Sequence, residues 1–137
     1  MSMARYRSTA LVATLLGVAA VMKLTQPETF ALDIANYGLL PRQLLQPLAY
    51  TLPPLEMLTA AALFSPVYRR AAWMIAGWLF LIFAAAVGSA VARGLDVSCG
   101  CFGGSMTVSW YHLIGNLILA ALCLWRFRVE THATPMV

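Results

Sequence analysis

The chain reads as an all-α membrane protein, a bundle of four membrane-crossing helices, and three observations predict it. The 137 residues are 61% hydrophobic and 10% charged, whereas soluble domains average about 45–50% apolar and about 25% charged. Apolar runs approaching the roughly 20 residues that cross a bilayer core of about 30 Å recur along the chain. The basic residues sit at the ends of these runs instead of on one helix face. The net charge of +4 and the pI of about 9.3 therefore describe membrane topology, and nucleic-acid binding is excluded as a function.

Length fits a single domain over residues 1–137. The first span is expected over about 8–24, short and rich in Ala, Val and Leu. The second is expected over about 53–68, with 46–52 able to lengthen it. Pro53 and Pro54 are read as its opening, since proline is tolerated in a first helical turn. The third, 71–92, is the cleanest apolar run, and the fourth covers about 106–125.

Residues 25–52 between the first two spans carry Pro27, Pro41 and Pro47 among mixed polar and apolar residues. This stretch is expected to lie in the outer interface as short amphipathic turns, with Phe30, Leu32, Ile34 and Tyr37 facing the lipid headgroups. No internal repeat or low-complexity segment is evident.

Orientation follows from the distribution of positive charge. Arg5, Arg7, Arg69, Arg70, Arg126 and Arg128 all fall on one side of a four-span chain. Lys23, Arg42 and Arg93 fall on the other, offset by Glu28, Asp33 and Asp96. Both termini are thus expected in the cytoplasm, and the protein in the bacterial inner membrane. The segment 93–105 then faces the periplasm. Trp73, Trp78, Trp110, Tyr111 and Trp125 are expected to form interfacial belts. Arg5 and Arg7 before an apolar run also suit a signal peptide, but no small-x-small site precedes a polar mature start, so cleavage is not expected.

The segment Gly94-Leu95-Asp96-Val97-Ser98-Cys99-Gly100-Cys101-Phe102-Gly103-Gly104 carries the most chemistry. In an oxidising compartment its two thiols can pair, and the glycine between them accepts the backbone angles that a tight ring requires. A ring tighter than that of Cys-x-x-Cys departs from relaxed geometry and is easier to reduce, which suits thiol–disulfide exchange. The same residues also fit a structural disulfide or two idle thiols. A soft-metal site for Cu(I) on Cys99, Cys101, Met106 and His112 is a further reading, weakened by the lack of further outer methionines.

Ser109, His112, Asn116 and Cys123 share one face of the fourth span. Such a polar stripe is expected to point into the bundle. His112 is placed to take a proton or stabilise a thiolate during exchange; its alternative role is a plain interfacial hydrogen bond. Asn116 is expected to bond between helices. Cys123 lies roughly 16 Å along the axis from His112 at about 1.5 Å per residue, so it is read as packing. Glu56 is an ionisable group within an apolar run, a functional candidate by position. It can relay protons, orient a quinone-like ligand, or pair with Lys23 or Arg93.

The chain resembles the MauE family of methylamine-utilisation membrane proteins, within the wider DoxX-like group. The resemblance rests on Lys23 closing the first span, Leu39-Leu40-Pro41, Leu52-Pro53-Pro54-Leu55-Glu56 and Ala92-Arg93-Gly94-Leu95-Asp96. The most specific string is Cys99-Gly100-Cys101-Phe102-Gly103. The resemblance covers nearly the whole chain. It implies a four-helix membrane protein concerned with periplasmic thiol chemistry, similar in role to DsbB/VKOR-like and CcdA-like proteins. Family members are associated with maturation of methylamine dehydrogenase, whose small subunit is rich in disulfides, alongside a thioredoxin-like partner. Carried over, Cys99 and Cys101 are the redox pair and Glu56 the family's carboxylate.

The leading expectation is a membrane thiol–disulfide oxidoreductase working with a periplasmic thioredoxin-like protein. A non-enzymatic assembly scaffold with a structural disulfide is the alternative. No second cysteine pair is present to relay electrons onward. A bound quinone, or exchange among outer-face proteins alone, meets that need, although no quinone motif is recognisable.

Overall fold

The computed structural model describes residues 2–97 and 107–133. Among these, the chain forms five helices and no strand: α1 (Met3–Thr25), α2 (Pro27–Tyr37), α3 (Arg42–Ala62), α4 (Arg69–Ala92) and α5 (Trp110–Ala133). Three of them, α1, α4 and α5, are long and apolar enough to cross a membrane. The helix at the second expected span, α3, is long but carries Arg42, Gln43, Gln46, Glu56 and three prolines, and does not reach the same apolar character.

Each helix is bounded by its local chemistry. The Ser2 side chain accepts from the Arg5 N–H at the start of α1. Pro27 opens α2, where its missing N–H costs nothing. Gly38 ends α2 with φ of 66°, the left-handed conformation that glycine adopts without strain.

Several expectations are corrected here. The stretch 25–52 is not a loop with isolated turns, because α2 fills its first part and α3 begins at Arg42 instead of Pro53. Pro53 and Pro54 lie inside α3, where they and Pro47 deprive the carbonyls of Ala49, Tyr50 and Gln43 of their usual donors. The helix found in place of the span expected over 53–68 runs Arg42–Ala62. The first and last helices are longer than 8–24 and 106–125, and α5 opens at Trp110. Of the α2 residues expected to face headgroups, Phe30 and Tyr37 turn inward with Asp33, while Leu32 stays exposed.

The helices pack antiparallel around small residues. Val12, Leu16, Leu63, Trp73, Ala76, Phe80, Ala120 and Cys123 form the main core. At Gly77, α4 and α5 approach so closely that a Cβ would stand 2.9 Å from the Leu124 Cδ2, the kind of contact that small residues permit between membrane helices. Large apolar side chains such as Leu58, Trp78, Ile82, Ile114 and Ile118 are left exposed, as lipid contact requires and water would not tolerate in such number.

The two ends of the bundle differ in chemistry. At the basic end, the start of α1 meets the end of α5: Arg5 and Arg126 both bond Glu130 Oε1, at 2.7 and 3.1 Å. The start of α4 joins them, with Arg70 over the Phe127 ring and Arg126 over the Trp73 ring, both at 5.4 Å. Trp73 is fully buried here, so it belongs to the core and not to an interfacial belt. Trp78, Trp110, Tyr111 and Trp125 are exposed. At the opposite end, the Arg93 guanidinium donates to the Tyr37 carbonyl and ties α4 to α2. The Val108 N–H donates to the Val97 carbonyl there at 2.9 Å.

Candidate functional site: a polar cleft beside the cysteine segment

Along most of their length α1 and α5 barely touch, since both pack chiefly on other helices. The gap between them is a cleft of about 210 Å³. Leu15, Leu16 and Ala19 of α1 and Leu119 of α5 make its walls apolar, and Phe80 and Phe83 of α4 close its back. Lys23, Glu56, His112 and Asn116 converge on it from three helices.

Lys23 and Glu56 form the most deeply buried ion pair of the described residues. The Lys23 Nζ donates to Glu56 Oε1 at 2.8 Å and to Oε2 at 3.1 Å, with side chains 2% and 0% exposed. The ammonium also lies 5.0 Å from the Phe30 ring centre and 4.7 Å from that of Phe83, where ring faces attract a cation. Burying two charges costs desolvation that only near-ideal geometry repays, so such a pair is weak grounds for stability and better grounds for function. Of the partners open to Glu56, the fold selects Lys23; Arg93 is engaged with Tyr37 and Ser89.

His112 sits in the first turn of α5. Its Nδ1 accepts from the Ser109 backbone N–H at 3.2 Å and lies 3.1 Å from the Ser109 Oγ. The His112 N–H in turn donates to the Ser109 carbonyl. This is one half of a capping box, with histidine in place of the usual Glu or Gln three residues after Ser109; the other half is missing, since the His112 N–H goes to the Ser109 carbonyl and not to its hydroxyl. An Nδ1 that accepts from a backbone N–H carries no proton in the neutral ring, which leaves Nε2 as the protonated nitrogen.

Asn116 does not bridge helices as its sequence position suggested; its Nδ2 donates to the His112 carbonyl at 2.8 Å. Cys123 is fully buried in the core against Gly77, as packing requires. Gly115 also lines the cleft, and a Cβ built there meets nothing within 4 Å.

Cys99 and Cys101, and the Met106 of the Cu(I) reading, lie outside the described residues. Their segment is closed at its base by the Val108–Val97 bond, immediately before the Ser109–His112 cap. Of the residues singled out in the sequence, the fold brings Lys23, Glu56, His112 and Asn116 to one cleft. Sequence reasoning missed two features, the Ser109 cap and the Phe30–Phe83 cage. The serine–histidine spacing was a signal for the first; the second rests on side chains from separate helices and had none.

The family model described as methylamine utilisation protein MauE matches residues 1–128. The chain belongs to the MauE family. A MauE protein of Methylophilus methylotrophus is 37% identical over 118 residues, covering 83% of this chain and 62% of the relative. Those of Paracoccus denitrificans and Methylorubrum extorquens are 36% and 38% identical, covering 82% and 88% of this chain. The chain spans 62% of the length of the first two MauE relatives and 68% of the third. No solved structure matches. The MauE match takes in Lys23, Glu56, Cys99, Cys101 and His112.

Proposed function

We propose that this MauE-family chain is a membrane thiol–disulfide oxidoreductase that works through Cys99 and Cys101. In this reading α1, α3, α4 and α5 all cross the bacterial inner membrane, with α2 at its outer face. Both termini lie in the cytoplasm and the cysteine segment in the periplasm. The arginines gathered where α1 starts and α5 ends support that orientation.

The observation that carries the reading is the position of His112. It bonds to Ser109 in the first turn of α5, just after the cysteine segment in the chain, and lines the cleft between α1 and α5 that also holds the Lys23–Glu56 pair. A periplasmic thioredoxin-like protein meets the segment from the aqueous side. A thiolate of one protein attacks the disulfide of the other and forms a mixed disulfide, and the second thiol of the attacking pair resolves it. One protein leaves oxidised and the other reduced. His112 takes up the proton released as the attacking thiol ionises, at Nδ1, which then gives up its bond from the Ser109 N–H. The relatives are named for methylamine utilisation, and the exported client here is a protein whose maturation requires disulfides.

Trapping tests the proposal. Cys99→Ser and Cys101→Ser chains are expressed in intact cells and run on non-reducing gels. One of the two should accumulate an adduct with a periplasmic thiol protein. If neither traps an adduct and membrane-impermeant reagents fail to label the cysteines from outside, the reading falls.

A further inference from the structure

A larger groove lies between α4 on one side and α2 and α3 on the other. We propose that it seats one acyl chain of a phospholipid of the surrounding bilayer, with the lipid phosphate against Arg93. The inference is independent of the thiol-exchange reading.

The first argument is shape. On α4 the lining runs from Leu79, near the middle of the helix, to Ser89, near its end. At about 1.5 Å per residue that is about 15 Å, half of a hydrocarbon core of about 30 Å. The groove therefore has the depth of one leaflet along a helix able to cross a membrane. Its volume of about 500 Å³ over that length gives a mean cross-section of about 30 Å², against roughly 80 Å² for a helix about 10 Å wide. It takes a single hydrocarbon chain and not a helix. Two of its lining residues, Ile82 and Leu39, are 59% and 50% exposed, so the groove is open at its edge along the apolar flank of α4.

The second argument is chemistry. Most of the lining is apolar, with Leu48 and Leu52 of α3 opposite α4 and the rings of Phe30 and Phe83 at one end. Asp33 also lines it, but is 8% exposed and already held by interactions of its own. The remaining polar residues, Tyr37 and Ser89, are both bound by Arg93. Its Nη2 donates to the Tyr37 carbonyl, and its Nε to the Ser89 carbonyl and Oγ at 3.2 and 3.1 Å. The guanidinium thus stands at the end of the groove where the apolar run of α4 stops. Arg93 is exposed, and no carboxylate among the described residues pairs with it. Its Nη1 has no acceptor among the described residues. A guanidinium with N–H groups to spare is matched to a phosphate. An apolar groove one leaflet deep with a cation at its end is complementary to a phospholipid.

The test separates chain from headgroup. The full chain is delipidated in dodecyl maltoside and titrated with dioleoylphosphatidylglycerol or with dioleoylglycerol, which has the same chains and no phosphate. Native mass spectra count the lipid that each chain retains. We expect one phosphatidylglycerol per chain, an unfolding temperature raised by it, and dioleoylglycerol retained about fivefold more weakly. Arg93→Gln should erase that difference. Ala85→Trp fills the groove from an exposed position of its lining and should weaken retention of both lipids at least about tenfold. Gly17→Trp, outside the groove, should leave retention unchanged. Ile82→Trp is read instead if the Ala85→Trp chain melts below the delipidated parent. No retained lipid, or retention undiminished in the filled groove, overturns the proposal. A lipid-free dimer also overturns it and gives the face to a second copy. Equal retention of the two lipids by the parent overturns the role of Arg93.

Discussion

The Lys23 ammonium and the Glu56 carboxylate are joined by two hydrogen bonds, 2.8 and 3.1 Å long, across 33 residues of sequence and almost without exposure to solvent. This pair ties the end of α1 to α3 at the level where Phe30 of α2 and Phe83 of α4 also meet the ammonium. Four helices thus converge on one buried charge pair beside the cleft. Removing either partner strands a charge, whereas removing both strands none. Glu56→Leu alone is expected to destabilise the protein by about 3–5 kcal/mol, and the Lys23→Leu/Glu56→Leu double variant to recover most of that. Unfolding temperatures in one detergent, read as a double-mutant cycle, check this. Additive losses would show that the pair is not coupled.

The basic end holds a less symmetric network. Arg126 is 3% exposed and depends on Glu130, while Arg5, bonded to the same oxygen, is partly open to solvent. Glu130→Ala should therefore cost more than Arg5→Ala. The first leaves a buried guanidinium without its carboxylate, at about 2 kcal/mol or more. The second loses a half-exposed pair worth under about 1 kcal/mol. Equal losses in a thermal unfolding comparison would contradict the burial of Arg126.

Helix approach at Gly77 sets a third expectation. A methyl group there meets the Leu124 Cδ2 at 2.9 Å, so Gly77→Ala should destabilise by about 1–3 kcal/mol through overpacking. Because the obstacle is a side-chain end and not backbone, adding Leu124→Ala should relieve part of the loss. Gly17→Ala, with open space around its Cβ, should be neutral or stabilising by up to about 1 kcal/mol from helix propensity alone. Guanidine-free thermal melts of the three variants and the parent side by side are sufficient to test the ordering.

How much of this was legible in the sequence depended on whether the signal was local. The third span was read as 71–92 and forms as Arg69–Ala92, because an unbroken apolar run with charges before it leaves little choice. The second helix was misplaced because Pro53 and Pro54 read as a start. In α3 the surrounding packing, with Pro53 itself buried, holds the helix through them. Trp73 read as interfacial from its closeness to Arg69 and Arg70, yet Arg126 from a distant part of the chain stacks on it and draws it inside. Glu56 stood out at once as an ionisable group in an apolar run. Its choice of Lys23 over Arg93 follows from helix register in three dimensions, which no local pattern encodes.

The hydrogen bond that His112 makes at the start of α5 and the proton uptake proposed for it are separable, and one substitution divides them. As the third residue after the cap, it accepts the Ser109 N–H through Nδ1. As an imidazole, it is the proton acceptor of the proposed thiol exchange. Glutamine is a standard partner at this position of a capping box but cannot take a proton. His112→Gln should keep the unfolding temperature of the parent and lose at least about a hundredfold in the rate of mixed-disulfide formation at neutral pH, at the lower edge of what general-base catalysis supplies. His112→Ala should lose both, with about 0.5–2 kcal/mol of stability going with the cap. Melting curves and quenched-flow trapping of the adduct, run on the same preparations, read the two roles independently. Should His112→Gln exchange as fast as the parent, the ring serves α5 alone and the proton must be taken up elsewhere.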